Sequence, residues 1–243
     1  MVWFIVGTFL GLLLLSTPIA IVVLATTAGA VSLFMHVPLT ALVQQLFRGL
    51  DNFLLLSIPF FILAGNIMAE GRIAHYLVKS MDACVGRFRG GLALAGILTC
   101  MFFAAISGSS PATVIAVGSI MIPALIRSGY DEKFSIGLIT SAGTLGILIP
   151  PSIPMVLYSL VGNTSVSDMF MAGVVPGVVR VIIFGTFAVF MARRFNWGAT
   201  SSYSLGETLH ILGRASWGLA MPLIVLGGIY TGLFTPTEAA GVS

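Results

Sequence analysis

Charge is the scarcest commodity in this sequence. Only 8% of its 243 residues are Asp, Glu, Lys or Arg, against about a quarter in an ordinary soluble domain, and 58% are hydrophobic. No water-soluble fold hides that much apolar surface, and the mean hydropathy of +1.09 agrees. Cysteine is nearly absent too: Cys84 and Cys100 stand alone, without metal or redox spacing, and read as small apolar packing residues. His36, His75 and His210 are equally isolated, in loops or amphipathic stretches, and suggest no metal ligation. No nucleophile–base pair, metal cluster or phosphate loop is visible, so nothing points to an enzyme or to a tightly bound cofactor. The net charge of +3 and the pI near 9.1 do not imply nucleic acid, because the basic residues sit in short loops beside apolar runs, where they set topology. The N-terminus lacks the charged start and cleavage site of a secretory signal, and its apolar run reads as a retained membrane helix.

What the sequence does have is long apolar runs, the mark of an all-α polytopic membrane protein; a β-barrel would show short alternating strands. Val2–Ser16 and Ile19–Met35 are separated by Thr17-Pro18, with Thr17 suited to a helix N-cap and Pro18 to the first helical position. As one helix, residues 2–35 would run roughly 50 Å against a hydrocarbon core of about 30 Å, so two helices and a tight turn fit better. Residues 37–51 form a less apolar loop or interfacial helix, and residues 52–69 a third span kinked at Pro59. Residues 70–88 mix Glu70, Arg72, His75, Lys79, Asp82 and Arg87 with apolar residues, as an amphipathic helix at the membrane surface would.

Residues 90–106 and 111–126 are apolar helices of about 24 Å each, slightly short for a crossing. A re-entrant hairpin over 90–127 fits these lengths, with two thin spans as the alternative. A broken helix over 133–162 follows, interrupted by Pro150, Pro151 and Pro154. Ser165 and Asp168 are spaced as a capping box variant before a span at 169–194, bent near Pro176. A polar connector at 196–204, an amphipathic stretch at 205–214 and a span at 217–233 lead to Thr235-Pro236-Thr237-Glu238, which opens another helix.

The basic loops at 70–89, 127–133 and 193–214 fall on one face if the hairpin returns to its side of origin and the broken helix crosses once. The positive-inside rule makes that face cytoplasmic and places the N-terminus outside. Thr17-Pro18 and Thr235-Pro236 each divide two apolar runs, at an offset of 218 residues and with opposite predicted orientation. Inverted repeats of this kind build many secondary transporters. Residues 1–214 are accordingly expected to be a first inverted repeat and 215–243 the start of a truncated second one, making the chain a fragment of a protein about twice its length.

Two polar interruptions carry the functional signal: Ser107-Gly108-Ser109-Ser110-Pro111, and Gly143 through Pro154, each in a run without charged residues. Irregular backbone survives at membrane depth only where it is buried in protein or lines a cavity. Each break sets the carbonyl end of one helix beside the amide end of the next. Carbonyls and hydroxyls at Ser107, Gly108, Ser110, Gly143, Thr144 and Gly146 suit a hard cation such as Na⁺. The helix starts at Ser109, Ser110, Pro111, Thr113, Ser152 and Pro154 suit a carboxylate substrate. The bland alternative is that these Ser and Gly residues serve interhelical packing. Two further charges invite a role and have a simpler one: Glu238 as a cap rather than a proton carrier, and Arg180 as a residue near the end of its span that snorkels to the interface.

The segment Ile106 to Thr113, the segment Gly143 to Pro154, and Gly232-Leu233-Phe234-Thr235-Pro236-Thr237-Glu238-Ala239-Ala240 together resemble the large membrane subunit of TRAP transporters, the tripartite ATP-independent periplasmic transporters. The resemblance covers essentially the whole chain. It implies an elevator-type carrier in the bacterial inner membrane, driven by a Na⁺ gradient. A periplasmic binding protein would deliver an organic acid, and a small four-helix membrane subunit would brace the scaffold. The family's hairpin-tip residues map to Ser107–Pro111 and its broken-helix residues to Gly143–Pro154; its second hairpin is missing from this sequence. A related broken-helix carrier working without a binding protein, and a non-transporting scaffold subunit, are the alternatives.

Overall fold

The computed structural model describes residues 1–35, 37–71, 73–198 and 203–243, so His36, Arg72 and residues 199–202 of the connector lie outside the described residues. The described residues form helices and connecting turns, in two compact units, Met1–Asn52 and Phe53–Ser243.

In the first unit, α1 (Val2–Leu14) pairs with α2 (Ile19–Ala30), and one wide helical turn at Val31–Met35 follows. Phe4 packs its ring against Phe34 at 5.5 Å and over Gly29, where a Cβ would press on the ring at 3.1 Å. The turn between the helices differs from the sequence expectation. The Thr17 hydroxyl does not cap α2; it donates to the Leu12 carbonyl at 2.6 Å and so closes the end of α1, while Pro18 itself is the residue before α2. A threonine at a helix–helix turn has orphan carbonyls behind it as well as orphan amides ahead, and here the carbonyl wins. The interfacial stretch is α3 (Leu39–Leu50), whose Leu39, Leu42, Val43, Leu46, Phe47 and Leu50 share one face.

The second unit is built around α6. A short turn at Phe53–Leu56 leads into α4 (Ser57–Glu70), with Pro59 in its first turn, where a missing amide breaks no helical bond, rather than at a mid-helix kink. Then come α5 (Ile73–Val85), α6 (Gly91–Ser107), α7 (Ser110–Arg127), α8 (Glu132–Gly143), the single turn α9 (Leu145–Leu148), α10 (Ile153–Gly162), α11 (Val166–Arg194), α12 (Leu205–Tyr230) and α13 (Pro236–Val242). Helix α6 is apolar around its whole circumference and is surrounded accordingly, by α5, α7, α8 and α11. Ile97, Cys100, Phe103 and Ala104 are fully buried at its centre. The packing role expected of Cys100 therefore holds, whereas Cys84 is exposed on α5 and fills no core.

Two further expectations change. Residues 73–85 do not simply lie on a surface: α5 buries Ala74, Leu77, Val78 and Met81 against α6 and α12. The amphipathic stretch 205–214 and the following span are one helix, α12, opened by a reciprocal capping box between Ser204 and Glu207. The same Ser/Thr-x-x-Glu spacing opens α13 at Thr235 and Glu238, as expected from sequence. At Ser165 only half the box is made, the hydroxyl accepting from the Asp168 amide.

Among the described residues five segments are long and apolar enough to cross a membrane: Phe53–Glu70, Ser110–Arg127, Glu132–Gly162, Val166–Arg194 and Leu205–Tyr230. The three basic loops gather at one end of the unit. The Arg87 guanidinium donates to the Tyr203 carbonyl, Arg89 to the Asn196 side chain, and the Gly198 amide to the Ser128 carbonyl. Trp197 packs on Tyr130 and Phe134 at the same place. The turn at Asn163 is separated from this end by the 29 residues of α11, roughly 43 Å at 1.5 Å per residue. Single cysteines at Lys133→Cys and Arg193→Cys, in a Cys84→Ser background, are expected to react with a membrane-impermeant maleimide from one side only, and Thr164→Cys from the other. Labelling of all three from the same side would contradict the arrangement.

Candidate functional site

The hairpin tip and the helix break meet. Helix α6 ends at Ser107, Gly108 turns the chain in the left-handed region at φ 58°, and α7 restarts at Ser110 with Pro111 in its first turn. Any side chain at Gly108 would be strained by that φ and would also sit 3.0 Å from the Pro151 carbonyl oxygen. In the other break α8 ends at Gly143, α9 adds one turn, the Pro150-Pro151 bond is cis, and α10 starts after Ser152 with Pro154 in its first turn. The two restarts are copies of one local structure. Ser109 and Ser152 both precede an x-Pro pair, with backbone angles of −129°/121° and −130°/125°. Neither side chain caps its helix.

Two hydrogen bonds join the breaks. The Ser110 hydroxyl donates to the Gly143 carbonyl at 2.8 Å, and the Ile153 amide donates to the Gly108 carbonyl at 3.2 Å. Each supplies a partner for a helix-terminal group that hydrocarbon would leave stranded. Glycine permits the approach: a Cβ on Gly146 would lie 2.8 Å from the Ser110 nitrogen, and one on Gly65 of α4 would lie 2.8 Å from the Ser107 Cβ.

The candidate residues divide by exposure. Ser107 is 1% exposed, and Thr113 and Ser152 are fully buried. Their hydroxyls are used internally: Thr113 donates to the Ser109 carbonyl at 2.8 Å and shares a 3.2 Å hydrogen bond with Ser107, and Ser152 donates to the Ile147 carbonyl at 2.8 Å. Gly108, Gly143 and Gly146 are buried with them. Ser109, Ser110 and Thr144 are half-buried, and Pro111 and Pro154 are exposed, so these five form the rim. The Ser110 hydroxyl spends its proton on Gly143 and keeps its lone pairs, which makes that oxygen a better cation ligand. The donors at this junction are neutral hydroxyls and carbonyls, without a carboxylate; that chemistry suits a singly charged hard cation rather than a divalent one.

Arg180 is not where the sequence put it. It is the midpoint of α11, half-buried, with its guanidinium 5.1 Å over the Phe184 ring. Some 14 residues separate it from either helix end, roughly 21 Å along the axis. Glu238 does what the spacing suggested. Its carboxylate accepts from the Thr235 amide and hydroxyl, both at 2.8 Å, and these bonds hold it below the usual carboxylate range. A group that titrates lower still is poorly matched to carrying protons near neutral pH.

The sequence missed the Gly65 contact on the hairpin tip and the Ser204–Glu207 box. The first needed the fold; the second carried the same spacing that was recognised at Thr235.

Comparison with known proteins shows the family. The family model described as tripartite ATP-independent periplasmic transporter, DctM component, matches residues 6–243. The chain belongs to that family. It is 49% identical to the C4-dicarboxylate TRAP transporter large permease protein DctM of Pseudomonas aeruginosa, over 89% of this chain and 51% of that protein. It is 41% identical to the isethionate TRAP transporter permease protein DctMQ of Oleidesulfovibrio alaskensis, over 98% of the chain and 38% of the relative. It is 38% identical to the ectoine TRAP transporter large permease protein TeaC of Halomonas elongata, over 97% of the chain and 56% of the relative. The chain thus spans about half the length, or less, of these relatives. The DctM family is one of transporter permease components rather than enzymes.

Gly146→Ala forces a methyl against backbone and is expected to destabilise the purified protein by about 2 kcal/mol. Gly137→Ala, where nothing lies within 4 Å, is expected to be neutral or slightly stabilising. Thermal unfolding of the two variants side by side checks the close approach, and equal melting temperatures would contradict it.

Proposed function

We propose that this chain forms part of the large membrane subunit of a Na⁺-coupled TRAP importer for an organic acid. The supporting observation is the junction of the two breaks through Ser110–Gly143 and Gly108–Ile153. Two half-helix C-termini and two half-helix N-termini converge there, partial negative charge for a cation beside partial positive charge for an anion.

In this reading Na⁺ is bound at the α6 and α8 ends, by Ser110 and Thr144 with carbonyls of the Ser107-Gly108 and Gly143–Gly146 segments. The buried Ser107, Gly108, Gly143 and Gly146 set the shape of that pocket. The substrate carboxylate meets the starts of α7 and α10, at the rim made by Ser109, Ser110, Pro111 and Pro154. Thr113 and Ser152 fix those starts from within. Binding of Na⁺ to the carbonyl side neutralises the partial charge that would otherwise repel the carboxylate, which couples the two ligands without a direct contact.

The hairpin α6–α7 is re-entrant, its tip stopping where the broken helix stops, and it moves with α8–α10 as the transport element of an elevator. Residues 1–214 constitute the first of two inverted repeats, with the second beginning near 215. The basic end of the larger unit faces the cytoplasm and the N-terminus faces the periplasm. The remaining partners are a periplasmic binding protein, which supplies the acid, and a small four-helix membrane subunit. The name of the Pseudomonas aeruginosa relative directs the first substrate panel to C4-dicarboxylates.

Uptake by proteoliposomes holding the complete protein with its small subunit, with and without the binding protein encoded beside it, tests the reading. Uptake is expected to need both the binding protein and an inward Na⁺ gradient, and Ser110→Ala is expected to lower it at least tenfold. Na⁺-driven uptake without the binding protein would replace the TRAP mechanism by an autonomous carrier, and unaltered uptake by Ser110→Ala would return the serines to a packing role.

A further inference from the structure

A second site lies away from the breaks, in the cleft between α5 and α12. Gly218 lets these helices close on each other, its Cβ position 3.0 Å from Ile73 and 3.6 Å from Leu77. One turn toward the basic end the helices part, and a cleft of about 410 Å³ opens, lined by His75, Tyr76, Lys79 and Arg214. Arg214 is not free to wander. Its guanidinium lies 4.9 Å over the Tyr76 ring and donates to the Tyr76 hydroxyl at 2.8 Å. Such a clamp holds the remaining N–H donors of the planar fork toward the cleft without neutralising the charge. Lys79 stands one turn from His75 on α5, exposed, at the other wall. Among the described residues that line the cleft there is no carboxylate. The acid nearest in sequence, Asp82, is buried and accepts from the Tyr203 hydroxyl at 3.1 Å.

The surface next to the cleft changes character along α12. Three residues past Arg214, on the neighbouring face of α12, comes Trp217, 81% exposed. Cation, then exposed indole, is the order of a membrane boundary read from headgroup inward. A soluble phosphate has no use for the indole. We infer that the cleft binds the anionic headgroup of a phospholipid, with the phosphate between Lys79 and Arg214 and an acyl chain running past Trp217. The bound lipid ties α5 to α12 at the level of the interface, and the cleft favours anionic over zwitterionic lipids because its described lining is basic and holds no carboxylate for a choline or ethanolamine.

Native mass spectrometry of the complete protein in detergent, titrated with phosphatidylglycerol, cardiolipin or phosphatidylcholine, reads this directly. The wild type is expected to retain one anionic lipid at least tenfold more tightly than phosphatidylcholine. Lys79→Gln with Arg214→Gln is expected to lose about tenfold in that affinity, while Lys79→Arg keeps it. Both Lys79 and Arg214 are exposed, and an unchanged elution volume and melting temperature for the conservative variant serves as the folding control. Equal retention of anionic lipid by wild type and the double glutamine variant would overturn the assignment. So would displacement of the lipid by inorganic phosphate, which would make the cleft a soluble-anion site.

Discussion

A helix that stops inside hydrocarbon leaves carbonyls and amides with no water to bond, and each group left so costs several kcal/mol. In the membrane placement proposed above the larger unit contains two such stops, and its architecture follows from the way they are answered. They answer each other. The α7 start supplies the Ser110 hydroxyl to the α8 end, and the α10 start supplies the Ile153 amide to the α6 end. That exchange requires the two breaks at the same depth, which fixes where the hairpin turns and where the broken helix yields. It also requires backbone to touch backbone, which accounts for Gly108 and Gly146 at the junction and for Gly65 on the helix behind it.

The buried serines and threonine belong to the same solution. Ser107, Thr113 and Ser152 bond inward, so each helix end is held in place by its own segment before any ligand arrives. Preorganised dipoles of this kind bind a charge without first reorganising. The rim left over, Ser109, Ser110 and Thr144 with the two prolines, carries no formal charge. In the proposed reading the site must release its ions on the far side of the membrane, and half-helix dipoles serve that better than a fixed carboxylate, whose attraction in a low dielectric is hard to undo.

Much of this was legible in the sequence because breaks are local events. Gly, Ser and Pro in a charge-free apolar run say where a helix stops whatever it packs against. Partners are another matter: Ser110 and Gly143 are 33 residues apart, and nothing in either segment names the other. The misreadings have the same root. Residues 205–214 were separated from the span that follows because Glu207, His210 and Arg214 break the hydropathy, yet helical hydrogen bonding is indifferent to polarity and α12 runs straight through. An end position for Arg180 does not follow even from a span of 169–194, and α11, running from Val166 past Pro176 to Arg194, has the arginine at its centre. Thr17 had orphan groups on both sides, and sequence alone does not rank them.

The central claim is that the junction of the breaks is a cation site whose key oxygen is Ser110. Thermal unfolding of the purified complete protein in NaCl against KCl, for wild type and Ser110→Ala, addresses it without transport or partners. A ligand bound only by the folded state stabilises it by about 1.4 kcal/mol at ten times its Kd. The account predicts that Na⁺, and not K⁺, raises the wild-type midpoint by about 3 °C or more, and that Ser110→Ala, still folded, loses this response. An equal Na⁺ response in both proteins, or none in the wild type, would contradict it.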